Sequence, residues 1–288
     1  MKKKILILGS SGNLGCALYK NISSNFKKIH TGLKKRSIDL TNFNELKKKI
    51  NLTNPDIIIN CAAITNVDLC ENKKFFTKKI NTQLIKNIFR IKKNKKLNFK
   101  FIQLSTDQIY NSKNYLPSTE KSKTYCFNEY SRQKLEAEKV CEKKNTIILR
   151  CNFFVNSKSN LFNWLIKSKN SKKIVYFFKD IYFNPLNIIT LSRIINKIIY
   201  KMLYQNFSGI YNLGAQDSIS KSEFCLHIIK KLKLKKINYK IVKSDNFLKT
   251  RRPKNMVMNI KKFEKDFRIK LPKIKNQINQ YIRIYNEI

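Results

Sequence analysis

Three of the six glycines in this chain lie within seven residues, at Gly9, Gly12 and Gly15. They follow the aliphatic run at 4–8, which is typical of a buried strand, and they open a segment with helical character. Gly9 suits a tight turn, Gly12 a close approach of backbone to a pyrophosphate, and Gly15 close packing of helix on strand. The start of a helix also attracts phosphate through its free N–H groups and its dipole. The motif therefore predicts a dinucleotide-binding turn.

Short apolar runs alternate with helical segments through the first half of the chain. Strands are predicted at 4–9, 28–32, 55–63, 99–107 and 145–150, with helices from about 13 and at 42–50, 70–93 and 128–143. In the helix at 70–93 an apolar stripe contains Phe75, Phe76, Ile80, Leu84 and Ile88. Such alternation favours right-handed βαβ crossovers. We predict an α/β fold with a doubly wound parallel sheet of the Rossmann type.

After Arg150 the alternation is less regular. Strands are predicted at 173–178, 209–214 and 239–242, and helices at 187–204, at 220–233 and from about 273. We interpret residues 1–150 as the nucleotide-binding domain and residues 151–288 as a smaller substrate-binding lobe. The lobe is expected to be partly interleaved with the first domain, with one strand returning to the sheet.

The formal net charge is +43, which is extreme for 288 residues. A positive charge of this size attracts polyanions, so one interpretation is that the protein binds nucleic acid or a membrane surface. The lysines are dispersed along the chain, however, and arginine, the better fork for phosphates, is scarce. Lys, Asn, Ile, Phe and Tyr are all over-used, as AT-rich codons would produce. We interpret the charge as compositional and expect no specific nucleic-acid partner.

The seven cysteines form no C-x-x-C pair, and the chain has only two histidines. We therefore expect no metal site. An odd number of cysteines without a disulfide framework suits a reducing cytoplasm. The apolar run Ile5–Leu8 is too short for a signal peptide, and no stretch approaches the length of a transmembrane helix. The expectation is a soluble, cytoplasmic protein without a membrane partner, and a homodimer is left open.

The residues after the second predicted strand bear on the choice of cofactor. An acidic residue there would hydrogen-bond the ribose 2′-hydroxyl of NAD, but this chain has Lys34, Lys35 and Arg36, and Asp39 comes later. Basic side chains suit the 2′-phosphate of NADP. We predict NADPH as the cofactor and leave NADH open.

Two Tyr-x-x-x-Lys pairs occur, Tyr130/Lys134 and Tyr239/Lys243, about the number that chance gives in so lysine-rich a chain. Only the first pair follows a strand that ends in polar residues, at Ser105-Thr106-Asp107, where such sheets bind ligands. Residues four apart share one helix face, and a nearby ammonium favours the tyrosinate. We predict that Tyr130 protonates a carbonyl oxygen that also accepts from Thr106, while a nicotinamide supplies hydride. Tyr239/Lys243 is interpreted as structural.

Nine stretches between residue 6 and about residue 263 resemble the extended short-chain dehydrogenase/reductases, and within them the dTDP-4-dehydrorhamnose reductase (RmlD-like) family. They are LGSSGNLG, DLTNFNELKKKI, PDIIINCAAITNVDLCE, KKINT, STDQIY, NEYSRQK, LRCNFF, GIYNLG with SISKSEF, and RRPKNMVMN. The resemblance implies that Thr106, Tyr130 and Lys134 are catalytic, and that the substrate is a sugar nucleotide.

The residues expected to bind ligands combine this resemblance with the motifs above. For the cofactor they are Gly9, Ser11, Gly12, Asn13, Leu14, Gly15, Lys34, Arg36, Asp39, Leu40, Cys61, Ala62, Ala63, Tyr130 and Lys134. For the substrate they are Thr106, Asp107, Phe153 and Arg252.

The chain departs from the family pattern at several positions, although the tyrosine and lysine of the catalytic pair are kept. The usual Tyr-Gly-x-Ser/Thr-Lys is Tyr-Ser-Arg-Gln-Lys at 130–134, and a substrate-contacting tryptophan is Phe153. The tyrosine that usually follows Ser-Thr-Asp is Gln108 here, and the usual Gly-x-Pro-Thr segment is Phe-Asn-Pro-Leu at 183–186. The serine that usually follows Arg-Pro-x-Asn is Met256. The class of reaction is thus better defined than the sugar.

The leading hypothesis is an NADPH-dependent reductase of a nucleotide-linked 4-keto sugar, acting in nucleotide-sugar and polysaccharide biosynthesis. Sugar-nucleotide epimerases and dehydratases share the scaffold and remain alternatives. Another alternative is a non-catalytic NADP-binding subunit, resembling the regulatory beta subunit of methionine adenosyltransferase. Such a subunit needs none of Thr106, Tyr130 and Lys134. The last alternative is a polyanion-binding protein, and this function would not explain the glycine motif.

Overall fold

The computed structural model describes residues 1–32, 37–112, 116–155, 161–170, 174–234 and 237–286. Its chain divides into two compact units, each made of three segments. Unit 1 comprises Met1–Thr106, Asn128–Arg150 and Ser192–Tyr211. Unit 2 comprises Asp107–Phe127, Cys151–Leu191 and Asn212–Ile288.

Unit 1 is built on a six-stranded sheet. Its strands are β1 (Lys4–Leu8), β2 (Lys27–His30), β3 (Ile57–Asn60), β4 (Lys100–Thr106), β5 (Thr146–Cys151) and β10 (Gly209–Leu213), in the order β10-β5-β4-β3-β1-β2. The ladders β1–β2, β1–β3 and β3–β4 are parallel. The chain leaves β1 for β2 on one side and then returns to β3 on the other, which is the order reversal of a doubly wound fold. The predicted Rossmann-type sheet is confirmed.

The helices of this unit are short, and most begin where the sequence predicts. They are α1 (Asn13–Asn21), α2 (Phe43–Thr53), α3 (Val67–Asn72), α4 (Lys74–Lys78), α5 (Leu84–Asn94) and α6 (Glu129–Val140), with most of α8 (Ile188–Gln205). The Asn42 side chain caps α2 by accepting from the backbone N–H groups of Asn44 and Glu45.

Both faces of the sheet are buried. On one face Leu6, Leu8 and Phe101 pack with apolar side chains of α2, α5 and α6. Ile5 and Ile7, which alternate with them along β1, are also fully buried. Such two-sided burial accounts for the continuous aliphatic runs of the strands.

The single long helix predicted at 70–93 is wrong. The chain breaks at Lys73 (φ −127°, ψ 54°), and a π-helical turn at Lys79–Gln83 separates α4 from α5. As a result Phe75 and Phe76 leave the apolar stripe and are 88% and 56% exposed, whereas Leu84 and Ile88 are buried as predicted. A pattern of period 3.6 cannot register the extra residue that a π turn inserts.

Unit 2 contains several short strand pairs. They are β6 (Phe153–Phe154) with β9 (Leu186–Asn187), β8 (Tyr182–Phe183) with β11 (Ile219–Ser220), and β7 (Val175–Phe178) with β12 (Tyr239–Val242). Its helices are α7 (Leu161–Lys167), α9 (Lys221–Lys231), α10 (Lys261–Phe267) and α11 (Ile274–Asn286). The two-residue strands, α7 and α10 were not predicted, because elements so short show no period.

Aromatic packing forms much of the core of unit 2. Phe154 contacts Phe162, Phe224 and Tyr281 with ring centroids 5.2–6.4 Å apart. Such ring pairs join β6 to α7, α9 and α11 and fix the position of residues near Asn152 and Phe153.

Candidate functional site

The turn after β1 has the backbone geometry that the glycine motif predicts. Gly9 has φ +71°, and a Cβ there would lie 2.6 Å from the backbone nitrogen of Ala62, which follows the neighbouring strand β3. A Cβ at Gly15 would lie 2.7 Å from the Cα of Ser10. Both positions therefore require glycine for reasons internal to the protein.

Gly12 differs from the other two glycines of the motif. A Cβ at this position would meet the oxygen of Gly9 at 3.3 Å, so packing within the protein restricts it much less. Gly12 occupies the N-cap position of α1 and has no side chain to cover the N–H groups of the first turn. This arrangement fits a phosphate group placed against the start of the helix. Phosphate binding would therefore explain why residue 12 is glycine, which packing within the protein does not.

The turn is also tied to the end of β2. The buried Ser10 hydroxyl accepts from the backbone N–H groups of Thr31 and Gly32, both at 3.1 Å. The Thr31 hydroxyl donates to the carbonyl oxygen of Ile7 at 3.2 Å. The predicted cofactor residues Lys34 and Arg36 follow this point and lie outside the described residues.

Asp39 stabilises the loop that leads into α2. Its carboxylate accepts from the backbone N–H and the hydroxyl of Thr41 at 2.8 and 2.7 Å. These hydrogen bonds to Thr41 lower the pKa of Asp39. Leu40 is partly buried and packs against the core of unit 1.

The end of β3 turns sharply out of the sheet. The Asn60 carbonyl oxygen Oδ1 accepts from the backbone N–H of Ala62 at 3.1 Å, and its amide donates to Gln103 on β4 at 3.0 Å. Because of this turn β3 is shorter than the predicted strand at 55–63. It leaves Cys61 and Ala62 beside the glycine turn, since the Cys61 N–H donates to the Leu8 carbonyl oxygen and Ala62 lies against Gly9. Ala63 is the next residue along the chain.

The three predicted catalytic residues all belong to unit 1 and are all buried. Thr106 is the last residue of β4, and Tyr130 and Lys134 lie one turn apart on α6. The Lys134 ammonium donates to the carbonyl oxygen of Leu104, two residues before Thr106, at 2.6 Å. The Tyr130 ring packs with Val67 and Cys70 of α3. The hydrogen bond of Lys134 thus links α6, which carries Tyr130 and Lys134, to β4, which ends at Thr106.

Two departures from the family pattern have structural roles at the start of α6. Ser131 forms a capping box with Asn128, whose side chain accepts from the Ser131 N–H at 2.9 Å. Gln133 accepts from the Asn81 amide at 2.9 Å and donates to the hydroxyl of Thr77 at 3.0 Å. These contacts fix α6 to α4 and the π turn, and no motif in the sequence indicated them.

A buried ion pair supports the same strand and helix from behind. Arg150 on β5 donates to the Glu138 carboxylate at 2.6 Å, and both side chains are at most 5% exposed. The Ser105 hydroxyl donates to the same carboxylate. The residue before Thr106 is therefore held by the helix that carries Tyr130.

The predicted substrate residues other than Thr106 lie in unit 2. Asp107 is 1% exposed and accepts from the Asn152 amide at 2.6 Å. Phe153 on β6 and Arg252 are partly buried. Asn152 was not predicted, although it directly follows β5.

Other departures in unit 2 also have packing roles. Asn184 donates to the carbonyl oxygens of Ala215 and Met258 at 2.9 Å, and accepts from the Met258 N–H at 3.0 Å. Gly214 lies against Asn184 so closely that a Cβ would be 2.6 Å from its oxygen. Met256 is buried.

Lys221, at the start of α9, is a charged residue that sequence reasoning missed. Its ammonium lies 3.5 Å from the centroid of the Phe183 ring. Burial lowers the pKa of Lys221 to about 8, the Asp107 carboxylate opposes this shift, and the Arg252 guanidinium adds to it. In a chain with so many lysines, no sequence signal distinguishes this one.

The seven cysteines are free thiols. Burial raises the pKa of Cys141 and of Cys225 to about 12, so neither is a reactive thiolate. Across the described residues, no group of three or more His, Cys, Asp and Glu side chains is placed to hold a metal ion. Within those same ranges, no helix has both the length and the apolar character needed to cross a membrane.

The sheet order, with the glycine turn at its reversal, defines a Rossmann-fold protein of the extended short-chain dehydrogenase/reductase type. The family model described as the RmlD substrate binding domain matches residues 2–287, and the chain belongs to this family. The resemblance found in the sequence is thereby confirmed.

Individual relatives are distant but cover nearly the whole chain. A spore coat polysaccharide biosynthesis protein of Bacillus subtilis is 23% identical over 91% of this chain and 90% of its own length. The dTDP-4-dehydrorhamnose reductase of Escherichia coli K12 is 23% identical over 93% of each chain. The crystal structure of the Bacillus anthracis dTDP-4-dehydrorhamnose reductase in complex with NADP superposes with a TM-score of 0.87 at 21% identity, covering 99% of both chains.

Proposed function

We propose that this protein is an NADPH-dependent reductase of a nucleotide-linked 4-keto sugar, similar to dTDP-4-dehydrorhamnose reductase, and that it serves nucleotide-sugar and polysaccharide biosynthesis. Family membership and the names of the relatives support the reaction class. The observation that carries the proposal is the placement of Lys134 against β4, two residues before Thr106, with Tyr130 on the same helix. A protein that only binds nucleotide has no use for these three side chains.

In this proposal the glycine turn and the start of α1 hold the cofactor phosphates. Gly12 leaves room for them, and the N–H groups of Ser11, Asn13 and Leu14 at the start of α1 would donate to them. Cys61, Ala62 and Ala63 border the turn from β3, and Asp39 with Leu40 would lie toward the adenine. When bound, NADPH supplies a hydride.

The side chains of the protein supply the proton and hold the ketone. The Tyr130 hydroxyl donates a proton to the ketone oxygen as the carbon accepts hydride, so that the product is an alcohol and Tyr130 becomes a tyrosinate. The Thr106 hydroxyl donates a hydrogen bond to the same oxygen. The Lys134 ammonium stabilises the tyrosinate by its charge. Asp107, Phe153 and Arg252 would bind the sugar nucleotide.

Two further functions share this scaffold. An epimerase or dehydratase would use the same tyrosine and lysine but would return the hydride to the sugar, and so would show no net consumption of NADPH. A regulatory subunit would bind NADP without turnover. A cytoplasmic location fits the free thiols, and a homodimer remains part of the proposal.

The test is NADPH oxidation, followed at 340 nm, against a panel of nucleotide-linked 4-keto sugars, repeated with NADH. We expect net oxidation with at least one sugar and a preference for NADPH, since one charged contact to the 2′-phosphate is worth ~1.5–3 kcal/mol. Sugar conversion without net oxidation would identify an epimerase or dehydratase. Tight NADP binding without conversion of any sugar would identify a regulatory subunit.

A further inference from the structure

Lys221 has a fixed position in unit 2. It is the first residue of α9, and the Ser220 side chain caps this helix by accepting from the Glu223 N–H at 3.1 Å. The Lys221 N–H donates to the carbonyl oxygen of Ile181 at 2.9 Å. The start of the helix is thus anchored, and the lysine side chain extends from a rigid point.

The Lys221 side chain is partly buried. Its ammonium lies over the Phe183 ring, which is itself 2% exposed. The charged or titratable groups that act on this ammonium come from three parts of the unit: Asp107 after β4, Cys225 one turn along α9, and Arg252. Two of these three are residues that the family resemblance assigns to the substrate.

The local charge is not balanced within this group. Lys221 and Arg252 carry two positive charges, and Asp107 carries one negative charge that also accepts from Asn152. Partial burial of an ammonium costs free energy, and an approaching anion offsets that cost. That cost is why the pKa of Lys221 falls to about 8, and an added oxyanion would reverse it.

We infer that Lys221 is a specificity-determining residue of the substrate site, and that its ammonium binds an oxyanion of the sugar nucleotide. The inference rests on the proposed function in that the ligand is a sugar nucleotide. Two groups of such ligands have this chemistry: the diphosphate, and a carboxylate on the sugar ring.

The experiment measures binding and needs no turnover. Thymidine, thymidine diphosphate and a matched pair of thymidine diphosphate-linked sugars, one hexose and one hexuronic acid, are titrated by calorimetry into the whole protein with NADP present. The proteins are the parent, Lys221→Met, Lys221→Arg and Lys230→Met. Lys230 is exposed on the same helix and serves as the control.

If the diphosphate is the partner, Lys221→Met binds thymidine diphosphate about 10- to 100-fold more weakly, as expected for losing a charged hydrogen bond. Thymidine binding and Lys230→Met do not change. If the carboxylate is the partner, thymidine diphosphate binding is unaffected, and the preference for the hexuronic acid over the hexose is lost in Lys221→Met but kept in the parent, Lys221→Arg and Lys230→Met. Either result supports the inference and identifies the oxyanion.

The pH dependence gives a second readout. The Lys221 ammonium is charged below about 8, so the affinity of the parent should fall as pH rises from 7 to 9.5. Lys221→Arg keeps its charge and should bind equally well over that range. Unchanged affinity for every ligand in Lys221→Met, or a parent without a pH-dependent loss, would overturn the inference. If Lys221→Met does not fold, the parent and Lys221→Arg still decide. Because no turnover is needed, failure of the reductase proposal is seen separately, in the NADPH oxidation assay.

Discussion

The two units carry their candidate functional residues in different ways. In unit 1 the glycine turn lies within seven residues directly after β1, and the Tyr130/Lys134 pair lies within about one turn of α6. In unit 2 the candidate substrate-binding group consists of the charged residues Asp107, Lys221 and Arg252 with the amide of Asn152, and these come from four separate parts of the chain.

This difference explains why one set is visible in the sequence and the other is not. A local motif keeps its spacing whatever the rest of the chain does, so its residues can be named without a structure. A group assembled from distant segments depends on where those segments pack. Such groups can also change while the fold persists, as at Phe153, Asn184 and Met256 in unit 2. In unit 1 the departures at Ser131 and Gln133 leave Tyr130 and Lys134 in place.

The largest expected effect concerns the scaffold of unit 1. Glu138→Ala leaves Arg150 buried without its carboxylate, and we expect a loss of ~3–5 kcal/mol in the free energy of unfolding. Glu136→Ala is the control on the same helix, because its partner Lys78 is 45% exposed. That change should cost at most ~1 kcal/mol. Urea unfolding measures both, and equal losses would show that the buried pair does not support the site.

The next effect separates two glycines of one motif. Gly15→Ala places a Cβ against the Cα of Ser10, and we expect it to cost ~1–3 kcal/mol of apoprotein stability through overpacking. Gly12→Ala has more room and should cost less than ~1 kcal/mol. Both should weaken NADPH binding at least ~10-fold. If Gly12→Ala lowers apoprotein stability as much as Gly15→Ala does, packing alone explains the motif.

The smallest effect concerns unit 2. Asn152→Leu removes the amide that donates to Asp107, and we expect the KM for the sugar nucleotide to rise ~5- to 10-fold, the equivalent of about one hydrogen bond. The Kd for NADPH should not change. A loss of NADPH affinity equal to the rise in KM would mean that the two units do not divide cofactor and substrate as proposed.

The extent of prediction from sequence follows the same division. The strands of the main sheet were predicted because burial on both faces gives continuous aliphatic runs, and the glycine turn because its backbone admits few alternatives. The helix at 70–93 was predicted wrongly, because the break at Lys73 and the π turn depend on tertiary contacts such as that of Asn81 with Gln133. Asn152 and Lys221 gave no signal, since their roles depend on residues distant in sequence.

The central claim is that Tyr130 donates a proton to the ketone of a nucleotide-linked sugar. The direct test compares the turnover of Tyr130→Phe with that of the parent, using NADPH and the best 4-keto sugar nucleotide of the panel. Tyr239→Phe is the matched control, because Tyr239 has the same spacing to a lysine but lies on β12 in unit 2.

The account predicts that Tyr130→Phe folds, binds NADPH as tightly as the parent, and turns over at least ~100-fold more slowly, while Tyr239→Phe is almost unchanged. Turnover of Tyr130→Phe at the rate of the parent would show that Tyr130 is not the proton donor to the ketone.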